Sequence, residues 1–305
     1  MRDEKMRLME DCDIDAAGME HSELNTLIGK LAQEKDEISV ANVNGIRFIG
    51  ITFPRLAIRN IRLHLSGTAG NCLANLNEEN SFFVHGNVGD DAGDTMHSGK
   101  ISVSGDARDV LGQALQGGRI FVRGNAGNRV SVQMREYGKD RPYMVIGGTV
   151  DDYLGEYMAG GRTVILNTMK SEVGNYIGSG MIGGKIFIRG RIEPGKIGLQ
   201  PPARELQSFL KALSLKNLIG SDDFQKLAGR SYAEAMNILT GKAREFGRKL
   251  YEEKVGIPDF EYRELNDLEY GELLPVIEEF SSDFSGEYTE LLGDKFTVVF
   301  PGNTK

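Results

Sequence analysis

The feature that most constrains the fold is a glycine-punctuated repeat between Ile61 and Gly190. Each unit is a short β-branched run closed by glycine, as in KISVSG, RIFVRG and KIFIRG, followed by a turn of small residues. The closing glycines Gly86, Gly105 and Gly124 are evenly spaced. Self-similarity at a fixed period, here about 19 residues, is the signature of a solenoid.

A unit of this length is too short for the paired helices of tetratricopeptide-type repeats. The asparagine–leucine signature of leucine-rich repeats is missing. Short β-branched strands separated by glycine turns therefore predict a parallel β-helix, right-handed because parallel crossovers generally are. We expect glycine at corners where φ is positive or where two coils approach closely.

The chain divides into three predicted zones: a lead-in of residues 1–60, the β-helix of residues 61–200 and a helical, acidic extension of residues 201–305. In the lead-in, an apolar stripe predicts one helix, and the Asn44-Gly45 turn predicts a hairpin of strands Ile38–Val43 and Ile46–Phe53. The stripe consists of Leu24, Leu27, Ile28 and Leu31.

Two helices are predicted in the extension, after Pro201-Pro202. One carries the apolar stripe Leu206, Phe209, Leu210 and Leu213. The other opens with a Ser231/Glu234 capping box and continues to Leu250. Because a solenoid exposes its end strands, we expect the N-terminal helix and the helices of 203–250 to cap them, so that deletion of 203–305 causes aggregation.

Charge and composition exclude several classes of protein. The net charge of −8 argues against a general nucleic-acid binder. No apolar run approaches membrane-spanning length, the first ten residues lack the apolar stretch of a signal peptide, and two cysteines form no disulfide framework. The expected location is therefore the cytoplasm.

Acidic residues concentrate near the C-terminus. Residues 251–290 contain 13 Asp or Glu against 2 Lys or Arg. Such a segment is typical of a solvated face, and the alternative is a docking surface for a basic partner.

Motifs that could carry chemistry are sparse. Residues 178–183 fit the dinucleotide fingerprint GxGxxG, but a strand pattern follows them where the motif requires a helix. The turn carrying Asp90, Asp91 and Asp94 is the candidate metal site, although Asp at a turn usually hydrogen-bonds backbone. No nucleophile–base arrangement stands out, so no catalytic or cofactor-binding residue is assigned.

Two segments, Asp151–Gly161 (DDYLGEYMAGG) and Arg119–Arg129 (RIFVRGNAGNR), resemble the GXGXG domain at the C-terminal end of glutamate synthase large chains, which in some organisms is a separate subunit. The resemblance implies a non-catalytic structural subunit that docks a glutamine amidotransferase and a flavin-barrel subunit near the ammonia path. FMN and the iron–sulfur cluster would reside in those partners. The acidic extension departs from the fused enzyme.

Other functions stay open. One of the subunits of formylmethanofuran dehydrogenase shares the glycine repeat, so a scaffold of that type of complex is one alternative. Another is a stand-alone enzyme or ligand binder that uses a cleft between the β-helix and its extension. Self-association into a homo-oligomer is compatible with each of them.

Overall fold

The computed structural model describes residues 12–137, 140–252 and 256–302; the first eleven residues of the lead-in and the last three of the extension lie outside these ranges. Eleven strands in the described ranges form one sheet in the order β1-β2-β3-β4-β5-β6-β7-β8-β9-β11-β10. They are β1 Ile14–Asp15, β2 Glu37–Ile46, β3 Arg62–Ala69, β4 Ser81–His85, β5 Lys100–Val103, β6 Arg119–Val122, β7 Tyr143–Ile146, β8 Ala159–Ile165, β9 Gly183–Arg189, β10 Asp259–Arg263 and β11 Phe296–Phe300. Strands β1–β9 pair in parallel and in chain order, which confirms the predicted parallel β-solenoid.

The period seen in the sequence is the length of one coil. Ser81, Lys100 and Arg119 lie in register on neighbouring strands, at the same spacing as the closing glycines. Tyr143 and Arg162 keep this spacing, whereas Arg119 and Tyr143, and Arg162 and Lys185, are separated by more residues. In the coil between β8 and β9, the extra residues lie in a loop outside the sheet, so the strand register is kept.

One face of each strand points into the solenoid. Most of the inward side chains are aliphatic, as in the pairs Ile101/Val103 and Ile120/Val122, and they are fully buried in one continuous core. Stacking such side chains coil upon coil removes apolar surface from water at about 25 cal/mol per Å². This core also explains why each strand needs only a few β-branched residues.

The corners between strands use left-handed backbone at three alternate residues of each coil. The triplets with positive φ are Cys72/Ala74/Leu76, Asp91/Gly93/Thr95, Val110/Gly112/Ala114, Arg129/Ser131/Gln133, Tyr153/Gly155/Tyr157 and Tyr176/Gly178/Gly180. The expected glycine occupies the middle position in four of the six, whereas the flanking positions are almost all non-glycine. For a non-glycine residue this conformation costs about 1–2 kcal/mol.

Hydrogen bonds between coils offset that cost. The flanking Asp91 donates its backbone N–H to the Asp109 carbonyl of the next coil at 3.0 Å. The middle Gly93 donates to the Leu73 carbonyl of the preceding coil at 2.9 Å. Because left-handed residues alternate with others at the corner, their N–H groups point in turn to the next coil and to the preceding coil. Each corner is therefore hydrogen-bonded to both adjacent coils.

The predicted hairpin of the lead-in is wrong. Residues on both sides of Asn44-Gly45 belong to the single strand β2, which runs through the proposed turn and pairs in parallel with β3. Gly45 does adopt positive φ, at 71°, but register shifts around it absorb the kink. The strand continues because its inward residues Ile38 and Val40 extend the solenoid core.

At the N-terminal end of the solenoid, the predicted helix packs on the core, and strand β1 pairs with part of the edge of β2. Helix α1, His21–Leu31, buries Leu24 and Ile28 in the same core as the coils. Asn25 holds the helix in place, since its Oδ1 accepts the Gly50 N–H at 2.8 Å and its Nδ2 donates to the Phe48 carbonyl at 3.0 Å. A short helix α2, Phe53–Leu56, follows.

The extension is helical, but it also closes the sheet. In the described part of the extension, the α-helices are α3 Ala203–Leu215, α4 Ser221–Leu227, α5 Tyr232–Ile238, α6 Gly241–Gly247 and α7 Asp267–Phe284. Strand β11 pairs antiparallel with β9 and covers the last solenoid edge, and β10 pairs with β11. The expectation that helices of 203–250 cap this edge is therefore wrong, because a strand supplies the N–H and C=O partners that an open edge needs.

The predicted stripe of α3 is buried in a separate core with Tyr232 and Tyr251. The Ser231/Glu234 capping box is confirmed. The single helix expected from Ser231 to Leu250 is interrupted, since Leu239 and Thr240 are extended and Thr240 precedes α6. None of the described helices is both long enough and apolar enough to cross a membrane.

Candidate functional site

The three carboxylates of the predicted metal site occupy one corner of the solenoid. Asp90 accepts hydrogen bonds from the neighbouring coils, at 3.2 Å from Asn71 Nδ2 and at 3.3 Å from the Asp109 backbone N–H. Asp94 accepts the Thr95 hydroxyl at 2.8 Å. Burial, and then the negative charges of Asp94 and Asp90, raise the pKa of Asp91. The carboxylates therefore act within the corner rather than converging on one point.

This arrangement repeats along the solenoid as a ladder of Asn and Asp side chains. The ladder consists of Asn71, Asp90, Asp109, Asn128, Asp152 and Asn175. At each step, the side-chain oxygen of one residue accepts the backbone N–H of its counterpart in the next coil, at 2.7–3.3 Å. Within residues 12–137, 140–252 and 256–302, no group of three His, Cys, Asp or Glu is placed to hold a metal ion.

Two of the four histidines, although distant in sequence, meet on the outer face of the sheet. His64 Nδ1 lies 3.2 Å from His85 Nε2, and the His64 ring stacks on Phe83 with ring centres 4.8 Å apart. On the other side, His64 Nε2 lies 3.0 Å from Glu37 Oε1. Burial lowers the pKa of His64 and so favours the neutral ring, although the negative charge of Glu37 acts in the opposite direction.

The repeat length in the sequence contains a signal for this contact. Because one coil is as long as the repeat, residues 64 and 83 are paired on adjacent strands, and residue 85 follows on the same face. His97 does not join the cluster; its backbone N–H binds the Asn77 carbonyl elsewhere in the coil. His21 instead packs edge-on against Phe48.

The acidic C-terminal segment has its basic partner within the chain. Helix α7 lies on the outer sheet face, where Phe280 and Val276 pack against Phe121 and its neighbours. Its carboxylates face a column of cations, one from each of β5, β6, β8 and β9 and one from the segment just before β7. The ion pairs join Lys100 to Glu279 and Asp283, Arg119 to Glu279, Arg141 and Arg162 to Glu272, and Lys185 to Glu269.

The distance between the acidic residues along α7 is close to the distance between the strands that carry their cationic partners. Glu269 and Asp283 lie in the first and last turns of α7, about 21 Å apart along a helix of that length. Their partners Lys185 and Lys100 lie on β9 and β5, four inter-strand steps or about 19 Å apart. The acidic residues spaced along α7 therefore meet successive strands, and the acidic segment is neither a wholly solvated face nor a free docking surface.

A cleft of about 740 Å³ lies where the extension joins the last coils. One wall is the loop of residues 167–173, which contains extra residues of the longer coil between β8 and β9. The other wall is the segment 189–196 after β9, together with the turn at Asp294 and Lys295 and the Tyr262 ring. We name this space the C-terminal cleft.

The fingerprint-like glycines of residues 178–183 are followed by a strand, as the sequence predicts, and not by the helix of a dinucleotide site. Gly178 and Gly180 are corner residues with φ of 68° and 67°. The residues that follow form strand β9. Without a helix N-terminus after the glycines, the feature that holds a pyrophosphate is missing from this motif.

Comparison with known proteins matches the solenoid to a family. The model of the family described as the GXGXG motif matches residues 48–200. An uncharacterized protein of Methanocaldococcus jannaschii is 40% identical over 209 residues, which cover 66% of this chain and 79% of that protein. The coils that carry strands β3–β9, with glycine at their corners, lie within residues 48–200. The chain therefore belongs to the GXGXG family, the domain type found at the C-terminal end of glutamate synthase large chains.

Proposed function

We propose that this chain is a structural subunit of a glutamate synthase-type assembly, in which it docks a glutamine amidotransferase and a flavin-barrel subunit. The observation that carries the proposal is the family match over residues 48–200, which include strands β3–β9 of the solenoid. In this proposal, glutamine hydrolysis, FMN and the iron–sulfur cluster belong to the partners. The solenoid holds the two partners in a fixed relation, which helps keep ammonia out of bulk solvent.

The chemistry of the described residues supports a scaffold role. The clustered Asn and Asp side chains hydrogen-bond backbone groups of adjacent coils. The carboxylates of α7 pair with cations of the sheet. Groups engaged in this way stabilise a rigid body, whereas a catalytic acid or base must be able to reach a substrate.

The first experiment is purification of the tagged full-length chain from its native host, with identification of co-purifying proteins by mass spectrometry. A class II amidotransferase and a flavin-barrel protein are the expected partners. Recovery of molybdopterin-enzyme subunits instead would contradict the proposal and favour a formylmethanofuran dehydrogenase-type complex.

A second experiment tests activity directly. The chain alone is expected to convert neither glutamine nor 2-oxoglutarate, and addition of the two partner subunits is expected to give glutamine-dependent glutamate formation. Turnover by the isolated chain would overturn the structural role. In the assembled complex, lysine cross-links from exposed Lys30 or from exposed Lys211 would report which end of the solenoid faces each partner.

A further inference from the structure

The C-terminal cleft carries an excess of positive charge on an acidic protein. Five cationic side chains and three carboxylates line it, while the whole chain has a net charge of −8. The cations are Lys170, Arg189, Arg191, Lys196 and Lys295, and the carboxylates are Glu172, Glu193 and Asp294. A local excess of one sign inside a concave surface concentrates ligands of the opposite sign.

Two of these cations are largely buried, and their carboxylate partners are more exposed than they are. Arg189 is 13% exposed, but its partner Asp294, with Oδ2 2.6 Å from Arg189 Nη2, is 53% exposed. Lys196 is 15% exposed, and its partner Glu172, with Oε1 2.6 Å from Nζ, is 86% exposed. Since exposed ion pairs are weak, an anion entering the cleft can replace both carboxylates.

The remaining cations stand at the rim. Among the described residues, no carboxylate forms an ion pair with the side-chain nitrogens of Lys170, Arg191 or Lys295. Lys170 and Lys295 are exposed, and the Arg191 guanidinium lies over the Tyr262 ring at 5.6 Å. The rim thus offers donors that the protein itself does not satisfy with negative charge.

We propose that the C-terminal cleft binds a small polyanion, a phosphate ester or a polycarboxylate with two or more negative charges. Its volume of about 740 Å³ lies within the range of small-molecule sites. Arg189 and Lys196 would hold the anion from below, and Lys170 and Lys295 would close over it from the two walls. This binding activity goes beyond the structural role proposed above and does not depend on it.

The test is calorimetric titration of the full-length chain at low ionic strength with two probes, inorganic pyrophosphate and citrate. Saturable binding of either probe is expected, with an affinity that falls as salt rises because exposed charges are screened. The probe that binds more tightly identifies the anion class as phosphate or carboxylate. No saturable binding of either probe would overturn the proposal.

Variants locate the binding. The double variant Lys170→Met/Lys295→Met lacks both rim lysines. It is expected to bind the anion about tenfold more weakly, since each substitution removes one contact between opposite charges. The matched control Lys211→Met/Lys242→Met removes two exposed lysines from α3 and α6, outside the cleft, and is expected to leave the affinity within about twofold. Equal loss in both double variants would show general charge attraction only and would contradict a site.

Removal of the carboxylates that compete with the ligand is expected to change the binding affinity in the opposite direction. The double variant Glu172→Gln/Asp294→Asn frees Lys196 and Arg189 and is expected to tighten binding by about tenfold. Unchanged or weaker binding in this variant would contradict the replacement of carboxylates by ligand. Neither result bears on which proteins co-purify with the chain, so failure here and failure of the structural role are distinguishable.

Discussion

At the scale of single residues, the same side chains that indicate metal binding in a sequence serve the stacking of coils. Asp152 illustrates this role, because its Oδ1 accepts the Asn175 backbone N–H at 2.7 Å and the Asn175 side-chain Nδ2 at 3.0 Å. Its neighbour Asp151 is exposed and makes no side-chain hydrogen bond in the described part of the chain. Adjacent residues of one type therefore have different roles.

The substitution Asp152→Ala is expected to destabilise the protein by about 1–2 kcal/mol, because a backbone donor between coils loses its partner. The substitution Asp152→Asn is expected to restore most of the loss, since Asn occupies the equivalent place in three other coils. Urea unfolding measures the difference, and Asp151→Ala is the matched control. Equal effects of Asp151→Ala and Asp152→Ala would contradict the ladder.

The cluster around His64 makes a prediction about pH. Burial lowers the pKa of His64 below its ordinary 6.5, although the charge of Glu37 opposes the shift. Arg62 opposes protonation, and His85 and Lys100 belong to the same patch around Phe83. The folded state thus binds a proton less readily than the unfolded chain, so stability decreases as the pH falls through 6.5.

Titration of the His64 ring by NMR should give a midpoint below 6.5. The variant Glu37→Gln should lower that midpoint further, because a negative charge that favours the protonated ring is removed. A midpoint at or above 6.5 in the wild type would show that burial does not dominate at this position.

At the scale of elements, helix α7 is fastened to the sheet by ion pairs that are matched strand by strand. Glu269 is the most enclosed of its carboxylates, at 3% exposure, and contacts both Lys185 and Arg263. Burial alone would raise its pKa, but hydrogen bonds from Arg263, Lys185 and the Asn266 backbone lower the pKa to about 2. Glu269 also completes the capping box with Asn266.

The substitution Glu269→Ala is expected to cost about 1.5–3 kcal/mol at neutral pH, because Lys185 loses its carboxylate partner and Arg263 keeps only Glu261. The folded-state pKa lies below the ordinary value of 4.5, so this contribution is complete above pH 4.5 and is lost as the pH falls toward 2. Denaturation of wild type and variant across that range should therefore converge. Glu278→Ala, on the exposed side of the same helix, is the control and should cost less than about 0.5 kcal/mol.

The strands require glycine where coils touch. A Cβ at Gly86 would lie 2.0 Å from the Gly67 carbonyl oxygen of the preceding coil. The substitution Gly86→Ala is expected to force the coils apart and to cost at least about 1–3 kcal/mol, measured by thermal unfolding. Gly271→Ala, in α7 with open space around the site, should be neutral or stabilising. Tolerance of alanine at residue 86 would contradict this close packing.

At the scale of the whole molecule, the extension completes the solenoid. It contributes β11, which covers the edge of β9, and α7, which covers the apolar outer face around Phe121 and Phe187. A chain without residues 203–305 would therefore expose both an unpaired strand edge and an apolar patch, the two features that promote aggregation.

We expect this truncated chain to aggregate, as measured by size-exclusion chromatography with light scattering. The full-length chain under the same conditions is the reference. A monodisperse truncated chain would show that the solenoid core suffices and that the extension is an independent module.

By itself, the sequence determined the parallel solenoid, the capping boundary at Ser231 and the family. These follow from local patterns, since a regular glycine period and a capping box lie within one stretch of chain. The prediction from the sequence was wrong for the lead-in strand, because Asn44-Gly45 permits a hairpin as readily as a kink. Only the packing of Ile38 and Val40 on the next coil decides between the two. Only the tertiary structure decided what meets the acidic segment, brought His64 to His85 and formed the C-terminal cleft. Glu279 and Lys100 are 179 residues apart, and a contact over that distance depends on where the completed sheet places its outer face.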